Sequence, residues 1–182
     1  MKHYDTSDVA GENAARFTYC PGCGAAALRP DSTKSLACGR CGFTLFLNAA
    51  AAVCAVIVDD GCMLLTVRNE EPAAGTLDLP GGFVDPYESL EDALRREVKE
   101  ELDLDITATR YLCSVANRYT YGGVVYATID AAYACRVTDA RSAKARDDVS
   151  AVRFIPLGAI DPDACGLASV REILRRYLAE YD

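Results

Sequence analysis

A Pro80-Gly81-Gly82 turn that runs straight into a charged amphipathic segment restricts this chain more than any other feature. Leu90, Leu94, Val98 and Leu102 recur at four-residue steps, which predicts one helix with a single apolar stripe. On that helix Glu97, Glu100 and Glu101 fall within roughly one 100° sector bordering the stripe. Three carboxylates held so close repel one another, and burial would push at least one towards protonation. A divalent cation removes the conflict, and hard oxygen donors suit Mg²⁺ or Mn²⁺. Gly81 and Gly82 lack side chains, so a backbone carbonyl can approach as a further oxygen ligand. A solvated face braced by pairs such as Arg96 with Glu100 is the competing reading of the helix taken alone.

The spacing decides between them. Gly82, five residues, Glu88, seven residues, then Arg96-Glu97-Val98-Lys99-Glu100-Glu101 resembles the signature box of the Nudix hydrolase family. Leu102 and Leu104 fit its continuation, but Asp103 stands where a glycine belongs. That glycine eases the helix exit in a left-handed conformation, which Asp tolerates better than most residues. The resemblance implies that Glu97, Glu100 and Glu101, with the Gly81 carbonyl, hold magnesium, that Glu97 is a candidate base, and that Arg96 and Glu88 orient the glutamates. It also implies a further carboxylate ahead of the last helix. Asp148 occupies that place, with Asp147 as its rival and a solvated loop acid as the plain alternative.

Upstream, Cys20-Pro21-Gly22-Cys23 and Cys38-Gly39-Arg40-Cys41 form two knuckles, each followed by a glycine. This spacing predicts a tetrahedral zinc site whose metal supplies the folding energy of a segment too short to bury a core. The ribbon reads as structural or dimer-forming, a homodimer being one assembly it allows. The chain has 182 residues and a formal net charge of -8. That balance argues against a non-specific nucleic-acid or membrane surface, which needs clustered Lys and Arg. Nine cysteines without an apolar leader in Met1 to Arg16 point to reduced thiols or metal ligands, and hence to the cytoplasm.

Residues 1–16 read as a loose polar tail, 17–45 as the ribbon and 46–182 as the main domain. Ala49 to Val58 is the longest apolar run and predicts a buried strand. Asp59-Asp60-Gly61 turns it back into Cys62 to Arg68. Further strands are expected over Ile106 to Arg118, Val124 to Val137 and Val149 to Pro156, with a closing helix over Leu167 to Tyr181. Strands in the middle and helices flanking them predict an α/β/α sandwich on a mixed sheet, as the family resemblance also implies. Arg68 is a candidate phosphate contact or an exposed strand end. Tyr119, Tyr121 and Tyr126 are candidates for stacking on a base or for half-buried packing. His3 lies in the tail and is no catalyst.

A four-cysteine ribbon ahead of a Nudix box resembles the NADH pyrophosphatase subgroup. Its Ser-Gln-Pro-Trp motif is replaced here by Ser114-Val115-Ala116-Asn117. The resemblance implies cleavage of a diphosphate linkage in a nucleoside diphosphate derivative, NADH-like or ADP-ribose-like. The alternative is a nucleotide-sensing module whose ribbon engages RNA or a protein partner.

Overall fold

The computed structural model describes residues 8–180 and divides into two compact units: Met1–Ala49 with Arg118–Ala127, and Ala50–Asn117 with Thr128–Asp182. In the first, a short helix α1 (Val9–Asn13) begins at Asp8, whose carboxylate accepts from the Gly11 N–H. Strands β1 (Leu28–Ser32), β2 (Ser35–Cys38) and β3 (Thr44–Phe46) follow as an antiparallel sheet in that order. Ala10, Leu28, Leu36 and Cys38 fill its small core. Asn13 is buried, and its amide pairs with both backbone groups of Val125: Nδ2 donates to the carbonyl and Oδ1 accepts from the N–H. Glu12 pairs with Arg118. The stretch expected as a loose tail therefore contains a helix and a clip onto a hairpin tip more than a hundred residues away. Composition concealed it because the clip rests on one side chain and a nonlocal partner. His3 and Tyr181 lie outside the described residues.

The second unit is built on β4 (Ala50–Asp59), β5 (Cys62–Arg68), β6 (Leu77–Asp78), helix α2 (Leu90–Leu102), β7 (Ile106–Tyr121), β8 (Val124–Val137), β9 (Val149–Pro156) and helix α3 (Ala168–Ala179). Its six-stranded sheet runs β6-β5-β4-β8-β7, with β9 along β5. The sheet is mixed: β4 is parallel to β8, while β5 is antiparallel to β4, β6 and β9. Successive side chains of a strand point to opposite faces, and β4 uses both. Val53, Ala55 and Ile57 join Leu94, Val98 and Leu102 of α2 in one core. Cys54 and Val56 join Val170, Ile173 and Leu174 of α3 in the other. A strand apolar on both faces needs cover on both, and the two helices supply it, giving the expected α/β/α sandwich.

The turns follow residue chemistry. Asp60 (φ 46°) and Gly61 (φ 69°) join β4 to β5 with Asp59 opposite Cys62, a two-residue hairpin that needs positive φ at both positions. Gly122 and Gly123 do the same between β7 and β8. That tight turn lets β7 run to Tyr121, three residues beyond the expected Arg118. Among the described residues no helix is long and apolar enough to cross a membrane.

Candidate active site

The Pro80-Gly81-Gly82 segment lies along β4, held by backbone hydrogen bonds and a bridge between Phe83 and Ala52. Val53 N–H donates to the Gly82 carbonyl (2.9 Å), Ala55 N–H to Pro80 (2.8 Å) and Val84 N–H to Ala51 (3.0 Å). Gly81 has φ 142°, and a Cβ built there would lie 2.0 Å from the Val53 carbonyl oxygen. Only glycine fits. The Gly81 N–H faces the other way and donates to Glu101 Oε2 at 2.9 Å. A Cβ on Gly82 would sit 2.6 Å from Glu97 Oε1, so this turn meets two of the glutamates through bare backbone.

Helix α2 holds those glutamates in place. Ser89 caps its start, with its hydroxyl accepting from the Asp92 N–H and donating to the Asp92 carboxylate. Asp103 closes it in the left-handed region (φ 58°, ψ 26°) and gathers Lys99, Lys144 and Arg146. The departure from glycine is thus accommodated, and those cations hold the Asp103 carboxyl below its usual range through hydrogen bonding and charge.

Arg96 is the hub. Its Nε and Nη2 grip Glu88 at 3.0 and 2.9 Å, its Nη1 reaches Glu97 at 2.8 Å and Glu100 at 3.1 Å, and Nη2 also binds the Phe83 carbonyl at 3.0 Å. One planar fork therefore fixes the loop, Glu88 and two helix carboxylates together. The bond to Arg96 lowers the Glu88 pKa. Glu97 goes up despite Arg96, chiefly through burial and then the charges of Glu100 and Asp148. Glu101 is pushed up to about 9 by burial; the Gly81 N–H opposes the shift, while Asp148, Glu97 and Asp78 add to it. Asp148 is half-buried and acts on both glutamates; Asp147 is exposed. The charges of Glu97 and Asp148 thus bear on Glu101, while Arg96 opposes the rise at Glu97. Among the described residues, the four cysteines are the only metal-ligating side chains already close enough to share one ion, because the glutamates turn their oxygens to Arg96 and Gly81.

Arg68 is not an exposed strand end. Its Nη1 lies 2.6 Å from Asp78 Oδ2 and its Nε donates to the Pro72 carbonyl, bracing the loop ahead of the glycine turn. Tyr119 and Tyr121 sit at the β7–β8 tip, in the first unit. Asp78 and Asp130 passed unnoticed in the sequence, although a single acid inside a strand as apolar as Ile129-Asp130-Ala131-Ala132 is a detectable signal.

In the first unit the Sγ atoms of Cys20, Cys23, Cys38 and Cys41 all lie within 4.8 Å of one another, with Cys20–Cys41 at 3.6 Å and Cys23–Cys38 at 3.8 Å. Tetrahedral thiolates at a zinc–sulfur distance of about 2.3 Å stand about 3.8 Å apart, so the set has the dimensions of one ion. The knuckles repeat each other: Gly24 N–H donates to Cys20 and Gly42 N–H to Cys38, each glycine with positive φ. The N–H groups of Cys41 and then Arg40 draw the Cys38 thiol down to about 6, favouring the thiolate that binds metal.

The model of the NUDIX domain matches residues 47–177, and the chain belongs to that family. Among its relatives, an ADP-ribose pyrophosphatase of Methanocaldococcus jannaschii is 44% identical over 62 residues, covering 34% of this chain and 37% of the relative. The NAD-capped RNA hydrolase NudC of Pseudomonas syringae pv. tomato is 22% identical over 167 residues, covering 92% of this chain and 58% of its own. A solved NUDIX hydrolase from Nitrosomonas europaea shares the fold with a TM-score of 0.65 at 21% identity, covering 90% of this chain and 91% of that one. The chain matches 37% and 58% of the length of these two curated relatives, less than two thirds of either.

Proposed function

We propose that this chain is a Mg²⁺- or Mn²⁺-dependent hydrolase that splits the diphosphate linkage of a nucleoside diphosphate derivative, with ADP-ribose and NAD-like dinucleotides as the leading substrates. The observation that carries the reading is the placement of Glu97 and Glu101 directly against the side-chain-free Gly81-Gly82 turn, with Arg96 tying Glu88 and Glu100 to Glu97. The names of the relatives, an ADP-ribose pyrophosphatase and an NAD-capped RNA hydrolase, support the substrate class.

Glu97, Glu100, Glu101, Asp148 and the Gly81 carbonyl are the oxygen donors for the divalent ions. The flanking carbonyls of Pro80 and Gly82 are taken by β4, whereas the Gly81 N–H already faces Glu101. Held there, the ions would supply an activated water and offset charge on the diphosphate. Glu97, raised in pKa, is placed to take a proton from that water. Arg96 and Glu88 hold the helix carboxylates to the loop, a positioning role. The test is incubation of the full chain with Mg²⁺ and NADH, NAD⁺, ADP-ribose, nucleotide sugars or nucleoside triphosphates. Mononucleotide products from the diphosphate compounds are expected, and their absence across the panel overturns the reading.

The pH dependence has a fixed sign. Glu101 titrates near 9 when folded, against 4.5 for a free Glu, so the folded chain binds the extra proton between those values. Without divalent ions, stability from this group is complete below pH 4.5 and is lost as pH rises towards 9. A divalent ion held by Glu101 would compete with that proton, so its stabilising effect should grow over the same range. Thermal melts with and without Mg²⁺ at about pH 6 and about pH 8.5 should show the larger increment at the higher pH, and a flat response in Glu101→Gln.

We further propose that the four cysteines hold structural zinc. Chelation should unfold the ribbon, read as accelerated hydrogen exchange over 17–43, while exchange in Leu94, Val98 and Leu102 of α2 stays slow. Equal protection in the chelated chain counts against zinc.

A further inference from the structure

At the end of the sheet away from the glycine turn, the two central strands come apart. β4 and β8 run parallel from Ala50 opposite Thr128 to Ile57 opposite Cys135, and their pairing stops there. β4 continues to Asp59 against β5, and β8 continues to Val137. The helix over this end also runs out, since Tyr177 is the last buried residue of α3, which stops at Ala179. Sheet and helix give way together, and a cavity of about 390 Å³ opens on the α3 face. Val56, Val58 and Ala134 form its floor, and Tyr177 stands at its wall. Small-molecule sites begin at about 300 Å³, so the space holds a compact ligand.

Two cations border that floor. On β8, Ala134 and Arg136 follow Ala132 at two-residue steps; on β7, Arg110 stands two residues before Leu112. Ala132 and Leu112 both pack in the α3 core, so strand alternation puts both arginines on that face. Both are exposed, and both line the cavity. Among the described residues, neither guanidinium has a hydrogen bond or an ion pair, whereas every other arginine of the second unit has at least one. No Asp or Glu is among the described residues lining the cavity. In a chain of net charge -8, two unmatched cations on one cavity are out of keeping with the rest of the surface. Arg136 also borders a cavity of about 420 Å³ on the α2 face, together with Asp59 and Asp139. Those acids are engaged elsewhere: Asp59 holds the Arg141 guanidinium at 2.8 Å, and Asp139 accepts from the Arg141 N–H at 3.1 Å.

Two guanidinium forks suit a dianion, because each can give a phosphate two parallel hydrogen bonds. The aliphatic floor and the tyrosine wall suit a flat apolar body attached to that head. We propose that the cavity between Arg110 and Arg136 is a second ligand site, which takes a phosphate monoester carrying an aromatic ring. It stands apart from the glutamates. Val53 bonds the glycine turn, and Val58 lies five residues further along β4, about 16 Å away at about 3.3 Å per residue. Helix α2 packs on the opposite face of the sheet.

The test is binding of phenyl phosphate to the full-length chain with no divalent ion added, followed by calorimetry and by methyl NMR. Saturable binding is expected, tighter than that of inorganic phosphate, which lacks the ring, or of benzoate, which carries a single charge. The methyl signals of Val56, Val58 and Ala134 should shift. Arg110→Gln and Arg136→Gln should each weaken binding by about tenfold. Their melting temperatures should stay at the wild-type value, because neither side chain has a partner to lose. Ala134→Leu fills the floor and leaves both arginines in place, so it should abolish the advantage of phenyl phosphate over inorganic phosphate. Absence of saturable binding up to about 10 mM overturns the inference. So does unchanged affinity in the folded arginine variants, or a set of shifts confined to Gly81, Gly82 and the α2 glutamates.

Discussion

Gly81→Ala should abolish or cripple folding, while Gly82→Ala next to it should fold and lose activity. At Gly81 the added carbon meets backbone on β4, 2.0 Å from the Val53 carbonyl oxygen and 3.0 Å from Cys54 Cα, neither of which can rotate away. The residue also adopts φ 142°, a region costing a side-chain-bearing residue about 1–3 kcal/mol. Displacing the segment gives up the Val53–Gly82 and Ala55–Pro80 hydrogen bonds, at about 1 kcal/mol each. The expected loss is about 3–5 kcal/mol, a large part of the total stability of a typical domain. At Gly82 the obstacle is only the carboxylate end of Glu97, which can swing aside. Chemical denaturation midpoints and turnover, measured on both variants, should separate the two effects. Equal stability of the two would show that the turn is not clamped to β4.

Glu100→Gln should lower kcat by about 10²–10⁴-fold with the fold intact. Glu100 is half exposed, and its hydrogen bond is with Arg96, which keeps Glu88 and Glu97 as partners after the change. The amide keeps the shape and removes the charge that a hard cation requires. Stability should therefore move by no more than about 1 kcal/mol, as for other exposed pairs. Raising the Mg²⁺ concentration should restore part of the rate if ion affinity is what was lost. Near-wild-type kcat in a folded Glu100→Gln variant would place the catalytic ion elsewhere.

Several features were legible without coordinates because they rest on local chemistry. Four-residue apolar steps specify one face of α2, and Asp103 can take the left-handed exit that a glycine usually takes. Two Cys-x-x-Cys turns carry their own geometry, down to the positive φ of the following glycines. β4 was readable as a buried strand because it is apolar on both faces. Side chains whose role is set by a distant partner were not readable. The Arg68–Asp78 pair joins two strands whose contact the local sequence does not show. Asn13 lies in a polar stretch without periodicity, and Asp130 is one acid in an apolar run.

The chain's order of residues alone thus determined the sandwich, the glycine turn with its glutamate helix and the sulfur cluster, since periodicity, backbone sterics and ligand spacing act over a few residues. Tertiary structure decided that Arg96 joins Glu88, Glu97 and Glu100, that Arg68 is engaged by Asp78, and that Asn13 clips onto Val125. Register and burial fix those outcomes, and both depend on strands distant in sequence meeting in space.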